Sequence, residues 1–143
     1  MGAGLAIGAW MIALSVYDLR ERRLPNWLTL PGAAVILVVA VALDRGLAAL
    51  AGAAALSALY LLIHLLSPRA MGGGDVKLAL GLGALTGMLG ADVWVLAAIG
   101  APLLTASYAA VALLRRDTRA VPHGPSMCVA SAAAVALGTF ASP

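Results

Sequence analysis

MGGGDVKL, running from Met71 to Leu78, sets three glycines, an aspartate and a lysine between two long apolar runs. A carboxylate there has to be explained, because the surrounding 143-residue chain is 63% hydrophobic and only 10% charged, with a mean hydropathy of +1.02. An ordinary soluble domain carries about 25% charged residues. The composition therefore points to an all-α, polytopic membrane protein. At this length it is one unit, residues 1–143, too small to hold a membrane bundle beside a second soluble domain.

Working outward from the glycines, polar breaks divide the chain into six apolar runs: Ala3–Tyr17, Trp27–Leu43, Leu47–Leu66, Val76–Gly90, Val93–Leu114 and Pro125–Ala141. Six transmembrane helices follow. The first and fourth runs are shorter than the ~20 residues that cross a hydrocarbon core, so they draw on flanking residues or local thinning. The first run lacks a basic leader and is followed at once by RERR, Arg20 to Arg23, which marks a retained span with its N-terminus outside. On that topology Arg20, Arg22, Arg23, Arg69, Lys77, Arg115, Arg116 and Arg119 fall on one side and only Arg45 on the other. The positive-inside rule then places the first, third and fifth connections in the cytoplasm and both termini outside.

The same distribution excludes a nucleic-acid reading of the basic pI of about 9.6, since the cations punctuate apolar runs instead of forming a face. Cys128, alone in an apolar run, supports neither an internal disulfide nor a paired-cysteine zinc site and reads as a packing residue. Tyr17, Trp27 and Trp94 near span ends suit an interfacial belt. Gly4 with Gly8 and Gly83 with Gly87 have GxxxG spacing, a weak signal in so Ala/Gly-rich a chain.

Four acidic residues, Glu21, Asp44, Asp92 and Asp117, sit in solvated connections. Asp18 and Asp75 differ, because one closes the first span and the other opens the fourth. An ionisable residue at such depth is costly and marks a functional site by default. The chain crosses the membrane twice between them, and twice more before VPHGPSM, Val121 to Met127. Three unusual stretches thus converge on one rim. Two carboxylates close enough to share a proton do not both ionise; one then activates water while the other polarises a peptide carbonyl. Gly72, Gly73 and Gly74 allow positive φ, let an extended substrate approach the carboxylate, and are expected to break the helix before Asp75. On chemistry alone, a proton relay or an ion site fits such a pair equally well.

These residues resemble the type IV prepilin leader peptidases, membrane aspartic proteases of the GxGD type. GGGDVKL, Gly72 to Leu78, is similar to the GxGD segment; DLRERRLPNWLTL, Asp18 to Leu30, is similar to the segment holding the first catalytic aspartate. VPHGP, Val121 to Pro125, is similar to a third segment, usually Pro-Phe-Gly-Pro, with His123 at the aromatic position. The resemblance implies a six-span peptidase that uses Asp18 and Asp75, without metal or other cofactor, to cut the basic leader from prepilin-like proteins at the cytoplasmic membrane face. Implied partners are that substrate, with its basic leader and hydrophobic helix, and the bilayer, with pilus assembly machinery as a further candidate and no nucleic acid. The connection after Asp18 is too short for the cysteine-paired region associated with N-methylation, so the chain resembles the short form linked to tight-adherence pili or archaeal-type filaments.

Other residues carry subsidiary expectations. Pro25 and Asn26 shape the turn into the second span, with Asn26 capping the helix. Lys77 neutralises nearby charge or snorkels. Ser57, Tyr60 and His64 share a helical stripe suited to interhelical hydrogen bonds. His123 shapes the loop with Gly124 and Pro125 or contacts substrate, and Gly81, deeper in the fourth span, is expected to tolerate alanine. Two rival classes are an ion- or proton-coupled carrier and a non-catalytic assembly subunit. Carriers place interrupted helices near the midplane, whereas these aspartates map to a rim.

Overall fold

The computed structural model describes residues 2–69, 71–116 and 121–141; Asp117 and Arg119 of the charge count lie outside the described residues. It contains six helices: α1 (Gly2–Glu21), α2 (Asn26–Ala42), α3 (Gly46–Leu66), α4 (Gly73–Leu89), α5 (Ala91–Leu114) and α6 (Gly124–Ala141). Each apolar run has become one helix. α1, α3 and α5 are long and apolar enough to cross a membrane, while α2 and α6 are shorter apolar helices. The first run gains length because its helix continues through Asp18 to Glu21, which puts a carboxylate on the last helical turns.

Helix ends are set locally. Arg22, Asp44 and Arg116 follow α1, α2 and α5 with φ of 51°, 57° and 56°, so non-glycine residues adopt the left-handed turn that stops each helix. That conformation costs a residue with a Cβ about 1–2 kcal/mol. Between α4 and α5 the turn is tighter, and Gly90, at φ 140°, occupies a region essentially reserved for glycine.

α4 is the centre of the bundle, packed against α2, α3, α5 and α6, and buried from Leu78 to Thr86 apart from Leu80. Its neighbour α3 approaches closely because both surfaces lack side chains. A Cβ at Gly83 would overlap the Gly52 backbone, and one at Gly87 would lie 2.7 Å from the Ala48 carbonyl oxygen. The Gly83–Gly87 spacing is thus a packing seam; Gly4 and Gly8 meet nothing. Indole donors lock other pairs: Trp10 Nε1 donates to the Leu28 carbonyl at 2.8 Å, and Trp94 Nε1 to the Gly52 carbonyl at 3.0 Å. Leu14, Leu78, Leu82 and Met127 form the deepest layer, and large aliphatic side chains such as Leu5, Ile12, Val38 and Leu103 cover the outside, as a lipid-facing surface requires.

The tryptophan also overturns one expectation. A Cβ at Gly81 would lie 2.8 Å from Trp10 Cη2, so this glycine seats an indole and has no room for alanine.

Candidate active site

At one end of the bundle a cavity of about 490 Å³ is bounded by the last turn of α1, the 22–24 segment, the α3–α4 connection, the first turn of α4 and the 121–123 segment. Asp18 and Asp75 both line it. Each is only 8% exposed. Helices of opposite direction deliver them: Asp18 stands near the C-terminal end of α1, Asp75 on the third residue of α4.

Each carboxylate is held by one backbone amide at a helix N-terminus. The Gly124 N–H, at the start of α6, donates to Asp18 Oδ2 at 3.1 Å. The Gly72 N–H, at the cap of α4, donates to Asp75 Oδ2 at 3.2 Å. Helix N-termini carry unpaired N–H groups and a partial positive charge that favours an anion. Amide dipoles, unlike a salt-bridged arginine, stabilise negative charge without fixing it on one particular carboxylate.

The glycines act by absence of volume. A Cβ on Gly124 would lie 2.6 Å from Asp18 Oδ2, and a Cβ on Gly74 would lie 3.1 Å from the Leu24 Cβ that lines the same cavity. The positive φ that the triplet allows is not used, and the expected helix break is corrected. Gly72 is extended, at φ −77° and ψ 149°, and the one positive-φ glycine among the described residues is Gly90. Gly73 and Gly74 begin α4 instead of interrupting it, because the Asp75 carboxylate caps the Gly72 amide and lets the helix start there.

Pro25 makes the turn into α2: its carbonyl accepts the N–H groups of Leu28 and Thr29, both at 3.1 Å, and the Thr29 hydroxyl at 3.2 Å. Asn26 does not cap α2. Pro25 holds the cap position, and Asn26 Oδ1 instead accepts from Lys77 Nζ at 2.7 Å, tying α2 to the first turn of α4. Lys77 lines the cavity together with Arg22, Arg23 and Arg69.

His123 lines the same cavity, and both of its ring nitrogens are engaged: Nδ1 lies 2.6 Å from Thr105 Oγ1 and Nε2 3.0 Å from the Tyr60 hydroxyl. Thr105 Oγ1 also donates to the Ala101 carbonyl at 3.1 Å. With that proton committed, one arrangement satisfies every group: Nδ1–H donates to Thr105 and Nε2 accepts from Tyr60. The imidazole is then neutral, in keeping with burial, which pushes it below the usual histidine range. His64 Nδ1 donates to the Met71 carbonyl at 2.7 Å and steadies the connection that leads into Gly72.

Pro125 begins α6 behind Gly124 and faces a separate apolar recess with Leu19 and Tyr108. Tyr60 was readable only as one member of a stripe, and Thr105, a hydroxyl inside an apolar run, was not singled out at all. The buried hydroxyl of Ser57, of the same stripe, meets no hydrogen-bond partner among the described residues.

A family model described as the type IV leader peptidase family matches residues 5–141. The match spans nearly the whole chain, and the chain belongs to that family, which implies a peptidase. No curated protein and no solved structure matches it.

Proposed function

We propose that this member of the type IV leader peptidase family is a six-span aspartic endopeptidase that removes the basic leader of prepilin-like proteins at the cytoplasmic face of the inner membrane, serving pilus biogenesis or secretion, with both of its own termini outside. The observation that carries this reading is the pair of buried carboxylates, Asp18 and Asp75, that line one cavity and are each held by a helix N-terminal amide.

The pair holds one proton. The ionised carboxylate removes a proton from water, whose oxygen attacks the scissile carbonyl carbon, while the protonated partner gives its proton to the carbonyl oxygen. The resulting tetrahedral diol collapses: a hydroxyl proton returns to a carboxylate, the C–N bond breaks, and the leaving amine takes up a proton. The leader ends in a carboxylic acid and the mature protein in a free amine. Arg22, Arg23, Arg69 and Lys77 line the same cavity; like charges repel, so a basic leader extends away from them into the aqueous phase. The substrate's hydrophobic helix stays in the bilayer and supplies affinity. Beside Gly74 the Leu24 side chain leaves little room, which favours a small residue, glycine, immediately before the cut.

Co-expression with a candidate prepilin, followed by N-terminal sequencing of the product, tests the proposal. A single cut after the basic leader, lost in Asp18→Asn and in Asp75→Asn, supports it; leader retention in the presence of wild-type protein across a panel of prepilins contradicts it.

A further inference from the structure

Beside the carboxylate pair lies a connected polar group, through His123 of the cavity lining, that the proposed chemistry does not use. His123 immediately precedes Gly124, and its carbonyl accepts the Met127 N–H at 3.1 Å, so it stands at the very start of α6. Its side chain turns back into the bundle, reaching Tyr60 on α3 and Thr105 on α5. Asp18 on α1 is held by the next residue's amide. Four helices therefore meet through two adjacent residues.

The tolerance at this junction is narrow. A Cβ at position 124 would already overlap Asp18 Oδ2, so the amide sits almost as close to the carboxylate as a backbone can. A slip in one direction collides, and a slip in the other breaks the 3.1 Å bond. The backbone of α6 alone leaves its first residues free to fray, as helix ends do. Two side-chain bonds from other helices remove that freedom.

We propose that His123 is a positioning residue: through Tyr60 and Thr105 it fixes the start of α6 and so keeps the Gly124 amide on Asp18. This rests on the reading of Asp18 and Asp75 as the reacting pair. Tyr60 and Thr105 are parts of the same device, and replacing either releases the ring on one side. Phenylalanine, the usual residue at this position of the third segment, keeps an aromatic ring, but beside the Thr105 and Tyr60 hydroxyls of this chain it loses both bonds and strands the Tyr60 hydroxyl. Glutamine retains one donor and one acceptor at comparable reach.

The groups that face His123 are Tyr60 from α3 and Thr105 from α5, and Asp18, Asp75, Arg22, Arg23, Arg69 and Lys77 line the same cavity. None of the cations contacts the ring, so the effect is geometric and shows in turnover.

The test is steady-state kinetics of the full-length protein, purified in lipid nanodiscs, on a prepilin-like substrate. His123→Phe is expected to lower kcat about 10- to 100-fold with KM within about twofold, since a misplacement near 1 Å costs on the order of a hundredfold. Tyr60→Phe lowers it less, His123→Gln recovers part of the loss, and the Tyr60→Phe/His123→Phe double variant is no worse than His123→Phe, because both changes cut one link. Wild-type kcat in His123→Phe, or losses that multiply in the double variant, overturns the proposal. If His123→Phe does not accumulate, Thr105→Val carries the same reading: a lower kcat at constant KM supports the clamp and an unchanged kcat refutes it. Asp75→Asn, run alongside, separates the two levels. Activity in Asp75→Asn overthrows the carboxylate pair, whereas an inactive Asp75→Asn beside a fully active His123→Phe removes the clamp alone.

Discussion

Replacing Gly124 with alanine adds one methyl group at the tightest point of the cavity. Its carbon would lie 2.6 Å from Asp18 Oδ2, 3.1 Å from Cγ and 3.4 Å from Cβ. A close carbon–oxygen approach in proteins is about 3.3–3.6 Å, so the carboxylate or the start of α6 must retreat by roughly 0.7–1.0 Å. Asp18 cannot yield by simple rotation, because the methyl crowds three consecutive atoms of its side chain. A retreat of that size stretches the 3.1 Å amide bond to about 4 Å and breaks it. A hydrogen bond to a charged group is worth about 1.5–3 kcal/mol, and a near-ångström displacement of a reacting group costs about a hundredfold in rate. Gly124→Ala is therefore expected to lower kcat by about two orders of magnitude while the protein still inserts and binds substrate. The assay is cleavage of a purified prepilin-like substrate resolved by mass, with KM and kcat separated. A kcat within about threefold of wild type would refute the reasoning that Asp18 is held by the Gly124 amide.

Gly74→Val is expected to abolish cleavage, because a β-branched side chain there collides with Leu24; full turnover would show that this turn does not shape the site. Gly81→Ala should lose about 1–3 kcal/mol of stability through overpacking, read as a lower melting temperature in detergent, since Trp10 is tied to Leu28 and cannot swing clear; an unchanged melt would contradict the indole seat. Acidification should also weaken the fold through His123: its folded pKa lies below the ordinary 6.5, so its contribution is fully present above 6.5 and is lost as pH falls through the lower folded value. Melting temperatures against pH should fall less steeply in His123→Phe than in wild type, and equal slopes would show that this ring does not titrate on unfolding. Cysteines placed near Arg20, Arg69 and Arg116 should label from the cytoplasm and one near Arg45 from outside; opposite faces for the first two would separate the aspartates. Glycine before the scissile bond should be required, and equal rates for glycine and phenylalanine at that position would refute a narrow site.

Much of this fold was legible because hydropathy acts over whole helices. Every apolar run became one helix, and the alternating direction of successive helices brings Asp18, Asp75 and Val121–Gly124 to one end. Local roles were less legible, because they depend on which atoms meet. Asn26 looks like a cap by residue type, yet Pro25 takes that position and Lys77 takes the side chain. The three glycines look like a flexible break, but Asp75 satisfies the Gly72 amide and the helix begins among them. Gly83 and Gly4 belong to identical GxxxG spacings, and only the first meets another backbone. Gly124 could be read in a motif, but its need for zero volume arises from α1, more than 100 residues earlier.

The central claim is that Asp18 and Asp75 together perform hydrolysis. Its most direct test is single-turnover cleavage of a prepilin-like substrate by purified wild-type protein, Asp18→Asn and Asp75→Asn, with the new N-terminus sequenced and insertion checked by the labelling pattern. The account predicts one cut after the leader by wild type, and a rate lower by at least about three orders of magnitude in each variant, since an amide can neither take a proton from water nor complete the shared-proton pair. Cleavage at the same bond and near the wild-type rate by either asparagine variant would contradict it.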